Sequence, residues 1–147
     1  MTKNNINLLG ALIANLNNIL LIAIFIARIN RYPKTEYWLG LIFILSVFPL
    51  VYIFVKSFEF DRTNLYYIQL ILVISFIIVE LLLDYILKID FRQNNTLLIP
   101  YAILFYASLG GMIGIAGQSG KQWTIITVVT YFIMVFFSWF AHYKTKI

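Results

Sequence analysis

Glu80 and Asp84 stand four residues apart in the stretch VELLLDYILKID, residues 79–90, inside a run that otherwise reads as lipid-facing helix. An ionisable group in such a segment costs roughly 2.5–3.5 kcal/mol on insertion scales, and such groups gather where a pathway or a binding site needs them. At helical spacing the two carboxylates share one face, one turn apart. Arg28, near the end of the first apolar run, and His142, near the end of the last, are placed to join them. Desolvation makes a carboxyl hold its proton, a neighbouring cation makes it release one, and imidazole titrates near neutrality. These four residues are therefore candidates for binding or moving a proton, a cation or a small substrate.

A second reading of the same residues is structural. Paired charges can fix helix register without doing chemistry. Lys88, one turn beyond Asp84, is placed to snorkel toward the headgroups and pair with it. Glu80 then needs Arg28 or His142 from another helix. Carboxylates and imidazole suit several divalent ions, but the spacing of Glu80, Asp84 and His142 is no ligand signature, so neither a metal nor a cofactor is expected. The patterns HExxH, GxSxG and GxxxxGK[ST] do not occur, and no catalytic residue is assigned. An enzyme acting on lipid headgroups ranks third, behind transport and behind a non-catalytic accessory or scaffold subunit. The absence of cysteine excludes disulfides, thiolate metal sites and cysteine nucleophiles.

The elements that must position these groups are set by composition. Of 147 residues, 62% are hydrophobic and 12% charged, against about 45–50% apolar and about 25% charged in soluble domains. The net charge of +5 does not imply nucleic acid, because Lys and Arg fall in short clusters between apolar runs. That pattern sets membrane orientation and meets anionic lipid. Membrane lipid is the expected partner and nucleic acid is not.

A helix needs about 20 mostly apolar residues to cross a bilayer core. Five runs qualify, near residues 7–29, 37–56, 65–87, 96–117 and 122–143, and predict an all-α integral membrane protein, one bundle of five transmembrane helices. The opening MTKNNINLLG has no compact apolar core followed by a cleavage site, so the first run is expected to stay in the mature protein. One side of the membrane then receives Lys3, Lys56, Arg62 and Lys121. The other receives Arg28, Arg31, Lys34, Lys88, Arg92, Lys144 and Lys146. Four against seven predicts an outside N-terminus and a cytoplasmic C-terminus, in the plasma membrane. Tyr37, Trp38, Tyr66, Tyr67, Trp123, Trp139 and Tyr143 are expected at headgroup depth, and Pro49 is expected to kink the second span.

Small and polar stripes mark the protein-facing sides, because lipid gives apolar side chains no reason to associate. On the first span Asn7, Gly10, Ala11, Ala14 and Asn18 share a face with Asn15 and Asn17 at its edges, opposite Leu9, Leu12, Ile13, Leu16 and Leu20. Asn15 and Asn18 are expected to bond to neighbouring helices. The fourth span aligns Ala107, Gly111, Gly114 and Gln118 into a packing seam, within the bundle or across a homo-oligomer or larger membrane complex. The fifth aligns Thr124, Thr127, Tyr131, Met134, Ser138 and His142. By parity the first, third and fifth spans end on one side of the membrane, which predicts a polar cluster there with Glu80 deepest.

Overall fold

The computed structural model describes residues 1–145 and is helical throughout, with no strand among the described residues. Lys146, counted above among the basic residues, lies outside them. The helices are α1 (Lys3–Ile29), α2 (Pro33–Leu45), α3 (Val47–Ser57), α4 (Asn64–Glu80), α5 (Asn95–Gly117) and α6 (Lys121–Thr145). A π-helical turn, Leu81–Ile86, prolongs α4, and a short 3₁₀ turn, Phe91–Gln93, precedes α5. Counting α2 with α3 and α4 with its π-turn, five helices are long and apolar enough to cross a membrane.

Local chemistry explains where the helices start and stop. The Thr2 hydroxyl accepts from the Asn5 amide at 3.3 Å, the Thr63 hydroxyl from the Tyr66 amide at 3.4 Å, and Asn94 Oδ1 from the Thr96 amide at 3.0 Å. Each satisfies an amide that a helix start leaves without an intrahelical acceptor. Pro33 stands in the first turn of α2, where its fixed φ is an advantage. The second span breaks at Ser46, between α2 and α3. Pro49, three residues on, has no N–H to offer the carbonyl of Leu45, which accounts for the break.

α1 is the central helix. It packs against α2, α3, α5 and α6, and 61% of its apolar window is buried, against 17–33% in the other four spans. This centrality modifies the two-faced picture of α1. Leu12 and Leu16 are exposed as expected, whereas Ile13 and Leu20, placed on the lipid side by periodicity, are buried. A helix with neighbours on most sides has no wide lipid face. Asn7, Asn15, Asn17 and Asn18 are all buried. The outer surface carries Phe48, Ile103, Phe132, Phe136 and Trp139, an apolar surface of the kind a bilayer solvates.

The inner polar residues stitch helices together. Asn15 Nδ2 donates to Thr127 Oγ1 of α6 at 2.9 Å, and Asn15 Oδ1 accepts from Thr130 Oγ1 at 3.0 Å. Asn18 Nδ2 donates to the same Thr130 hydroxyl at 3.0 Å. Gly111 and Gly114 lie against Gln69 of α4, and a Cβ at Gly114 would overlap the Gln69 amide. Ala107, aligned with them by sequence, is exposed instead, because α5 buries the face of Phe105, Leu109, Met112 and Ile115. Tyr66, in the first turn of α4, is buried, with the Arg62 guanidinium 4.7 Å above its ring. Tyr37, Trp38, Trp139 and Tyr143 are exposed near helix ends.

Candidate functional site

The third span changes winding where its charges begin. Beyond Glu80 the chain adopts the wider π-turn, closed by the Leu87 amide on the Leu82 carbonyl at 2.8 Å and the Ile89 amide on the Leu83 carbonyl at 3.0 Å. Lys88 then takes a left-handed backbone conformation, φ 51°, rare for a residue with a Cβ. These two features take Lys88 out of α-helical register with Asp84 and leave it exposed. π-turns recur at functional sites because they re-aim side chains within a helix.

Asp84 meets Arg92 in place of Lys88. Phe91 is fully buried, and its ring lies 4.5 Å from that of Tyr101 and 4.5 Å beneath the Arg92 guanidinium. This anchor turns the loop back onto the span it has just left. Arg92 Nη1 donates to Asp84 Oδ1 at 2.9 Å and Nη2 donates to Oδ2 at 2.7 Å, a two-pronged pair. Burial works against the Arg92 charge, but its hydrogen bonds to Asp84 and the nearby carboxylates outweigh that, so its pKa is raised above the usual guanidinium value.

Glu80 has two neighbours that spacing did not indicate. Tyr101 Oη of α5 donates to Glu80 Oε2 at 2.5 Å, and Arg92 Nη2 stands 3.9 Å from Glu80 Oε1. Arg28 pairs with Glu36 at the start of α2, with Nε and Nη2 each 2.7 Å from Oε1. Tyr101 and Arg92 thus stand where Arg28 was expected at Glu80, and Arg28 is paired with Glu36.

A cavity of about 250 Å³ lies among these groups. Arg28, Glu36, Glu80, Asp84, Arg92 and Tyr101 all line it, so the structure brings three of the four sequence candidates to one space. The fourth, His142, lines a second cavity of about 140 Å³ with Ser138 and Tyr106, bounded by Arg28, Arg92 and Tyr101. A third, of about 150 Å³, lies by Arg28, Arg31 and Lys144. Arg28 borders all three. The ends of α1, of the third span and of α6 thus meet the beginnings of α2 and α5.

Glu36, Arg92 and Tyr101 were not among the sequence candidates. The parity that groups the ends of the odd spans also groups the starts of the second and fourth, where Glu36 and Tyr101 stand. That signal was present and points to the side of the membrane, though not to the partner. Arg92 is eight residues from Asp84 across a loop, a separation that no helical spacing rule covers.

The cavity contains three carboxylates and two guanidiniums among the described residues. Two carboxylates are neutralised in short pairs, Glu36 by Arg28 and Asp84 by Arg92. Glu80 is the excess acid, with its side chain 16% exposed. It can take up a proton or stand opposite a cation. Among the described residues no group of three His, Cys, Asp or Glu could hold a metal ion. The chain matches no family model, no curated protein and no solved structure.

Proposed function

We propose that this protein is a small multi-pass membrane protein that binds a proton or a cation at Glu80 and passes it through the polar interior of its helical bundle. The observation that carries this reading is the charge imbalance in the cavity. Glu36 and Asp84 have close guanidinium partners, whereas Arg92 is 3.9 Å from Glu80. A carboxylate in a largely apolar surrounding needs a compensating charge or a proton.

The opposite half of the bundle supports a route. Asn15, Asn18, Thr127 and Thr130 form a buried hydrogen-bonded ladder between α1 and α6. Beyond it Arg62 Nη2 donates to Asn7 Oδ1 at 2.6 Å, and Asn7 Nδ2 to the Gln118 carbonyl at 3.0 Å. Polar groups therefore line the central helix from Asn7 to Asn18 and return at Arg28, with the apolar stretch 19–27 between them. By the basic-residue bias the Glu80 cavity faces the cytoplasm of a plasma membrane, with the N-terminus outside. Lipid is the surrounding partner, and assembly into a homo-oligomer or a larger membrane complex belongs to the same proposal.

The test is flux. Purified protein in liposomes carrying a pH-sensitive dye is compared with Glu80→Gln, which keeps shape and hydrogen bonding while removing the charge. Lost flux with unchanged melting supports the reading. Wild-type flux in the variant, or no flux of protons or monovalent cations in the parent, removes it.

The bidentate Arg92–Asp84 pair favours one other reading, a non-catalytic accessory or scaffold subunit. The pair ties a loop to the span before it, which is a structural task. On that reading Glu80→Gln alters stability alone.

A further inference from the structure

We propose that the cavity at Glu80 recognises a small organic ammonium group, held by the Glu80 carboxylate and by the aromatic rings around it. This inference rests on the proposed reading of Glu80 as a cation site and names the class of cation.

The walls carry the distinction. Besides its charges the cavity is lined by Phe25, Tyr37, Phe43, Tyr85, Tyr101 and Phe105. Aromatic faces attract cations, most strongly where water is excluded, and aromatic cages are a recurring solution for alkylated ammonium. Alkali and alkaline-earth ions want something else, several oxygens at short range in place of their hydration shell. Six rings do not supply that. Neither do the carboxylates, since two of the three are occupied by guanidiniums and no metal-holding group of three occurs among the described residues.

Size agrees. A cavity of about 250 Å³ has the volume of roughly eight waters. That is far more than a bare ion fills, and just below the range of about 300–1,000 Å³ typical of drug-sized ligands. A few-carbon amine or a trimethylammonium group suits it. The carboxylate is also pre-set. Tyr101 holds Oε2 at 2.5 Å, while Oε1 has Arg92 at 3.9 Å, beyond hydrogen-bond range. Arg28 and Arg92 are each committed to a carboxylate at 2.7 Å, so the cavity does not present an unpaired guanidinium to an anion.

Ammonium chemistry has two sources at a membrane, a free amine and a lipid headgroup. The experiment separates them. Purified protein in detergent is titrated calorimetrically with choline and with 3,3-dimethylbutan-1-ol, the uncharged carbon isostere of choline. Potassium chloride controls for ionic strength. Lysophosphatidylcholine and lysophosphatidylglycerol form the lipid arm.

Saturable choline binding is expected, with no binding of the alcohol or potassium. It should weaken at least about tenfold in Glu80→Gln. Tyr37→Leu keeps every charge and removes a half-exposed ring, so it serves even if the Glu80 variant does not fold. Its affinity for choline should fall about three- to tenfold. Binding of lysophosphatidylcholine alone supports ammonium recognition and assigns the source to a headgroup.

Equal binding of choline and its isostere overturns the inference, as does choline affinity unchanged in both variants. If no ammonium ligand binds while Glu80-dependent proton or potassium flux persists in liposomes, the ammonium inference fails and the cation-site reading stands. If neither binding nor Glu80-dependent flux is found, both fail.

Discussion

Arg92 grips both carboxylate oxygens of Asp84, at 2.9 and 2.7 Å, from a loop that begins where the third span unwinds. The pair holds the loop over the cavity and brings the same guanidinium within 3.9 Å of Glu80. The two side chains are 28% and 22% exposed, so the pair is partly desolvated.

Removing Arg92 should therefore destabilise the protein. Arg92→Ala leaves two neighbouring carboxylates without their cation, and a loss of about 1–3 kcal/mol is expected for charge-assisted bonds at this burial. Arg92→Lys should recover only part, because an ammonium cannot make the forked contact. Adding Asp84→Ala to Arg92→Ala should restore stability in part, a coupling that a double-mutant cycle in detergent measures. Strict additivity would show that the pair contributes nothing.

Tyr101→Phe deletes the hydroxyl that donates to Glu80 at 2.5 Å and keeps the ring against Phe91 and Phe76. A stability loss of about 1–3 kcal/mol is expected, because the carboxyl loses its donor inside the bundle. In Glu80→Gln the same tyrosine substitution should cost less. Equal costs in the two backgrounds would mean that the hydroxyl does not serve Glu80.

At the Gly114 contact with Gln69, size decides the outcome. Gly114→Ala meets the movable end of a side chain and should cost little. Gly114→Leu must separate α4 from α5 and should cost about 1–3 kcal/mol or more. Thermal melting of both variants provides the check, and a wild-type melt for Gly114→Leu would show that the seam is loose.

Between α1 and α6, Asn15→Leu should lose the bonds to Thr127 and Thr130. About 0.5–2 kcal/mol is expected for hydrogen bonds between membrane helices. Thr127→Val should cost less in that background than in the wild type. Identical costs would leave the ladder without an energetic role.

Fusing a reporter to each end tests the orientation. An active cytoplasmic reporter at the C-terminus together with an external N-terminus is expected. Both ends on one side would contradict five spans. The reverse arrangement would place the Glu80 cavity outside and invert the proposed direction of access.

The sequence by itself determined the five apolar spans, the break near Pro49, the burial of the asparagines on α1 and the side of the bundle on which Arg28, Glu80 and Asp84 gather. All of these follow from quantities counted along the chain: the length of an apolar run, a missing N–H, a helical period, the parity of crossings. Tertiary structure decided what each side chain meets. Periodicity put Ile13 and Leu20 toward lipid, yet both are buried because α1 has neighbours on most sides, a property of the other helices as much as of α1. Ala107 shares a stripe with Gly111 and Gly114 but stays exposed, because the face that α5 presents to its neighbours is the one with Phe105 and Met112. Lys88 has the spacing to serve Asp84, but the π-turn and a left-handed residue break the register on which that spacing depends. Arg92 takes its place because Phe91 finds a pocket beside Tyr101, and Tyr101 reaches Glu80 because α4 packs on α5. Local patterns carry orientation about one helix axis, whereas a partner across the bundle depends on distances between axes, which appear only once every helix has been packed.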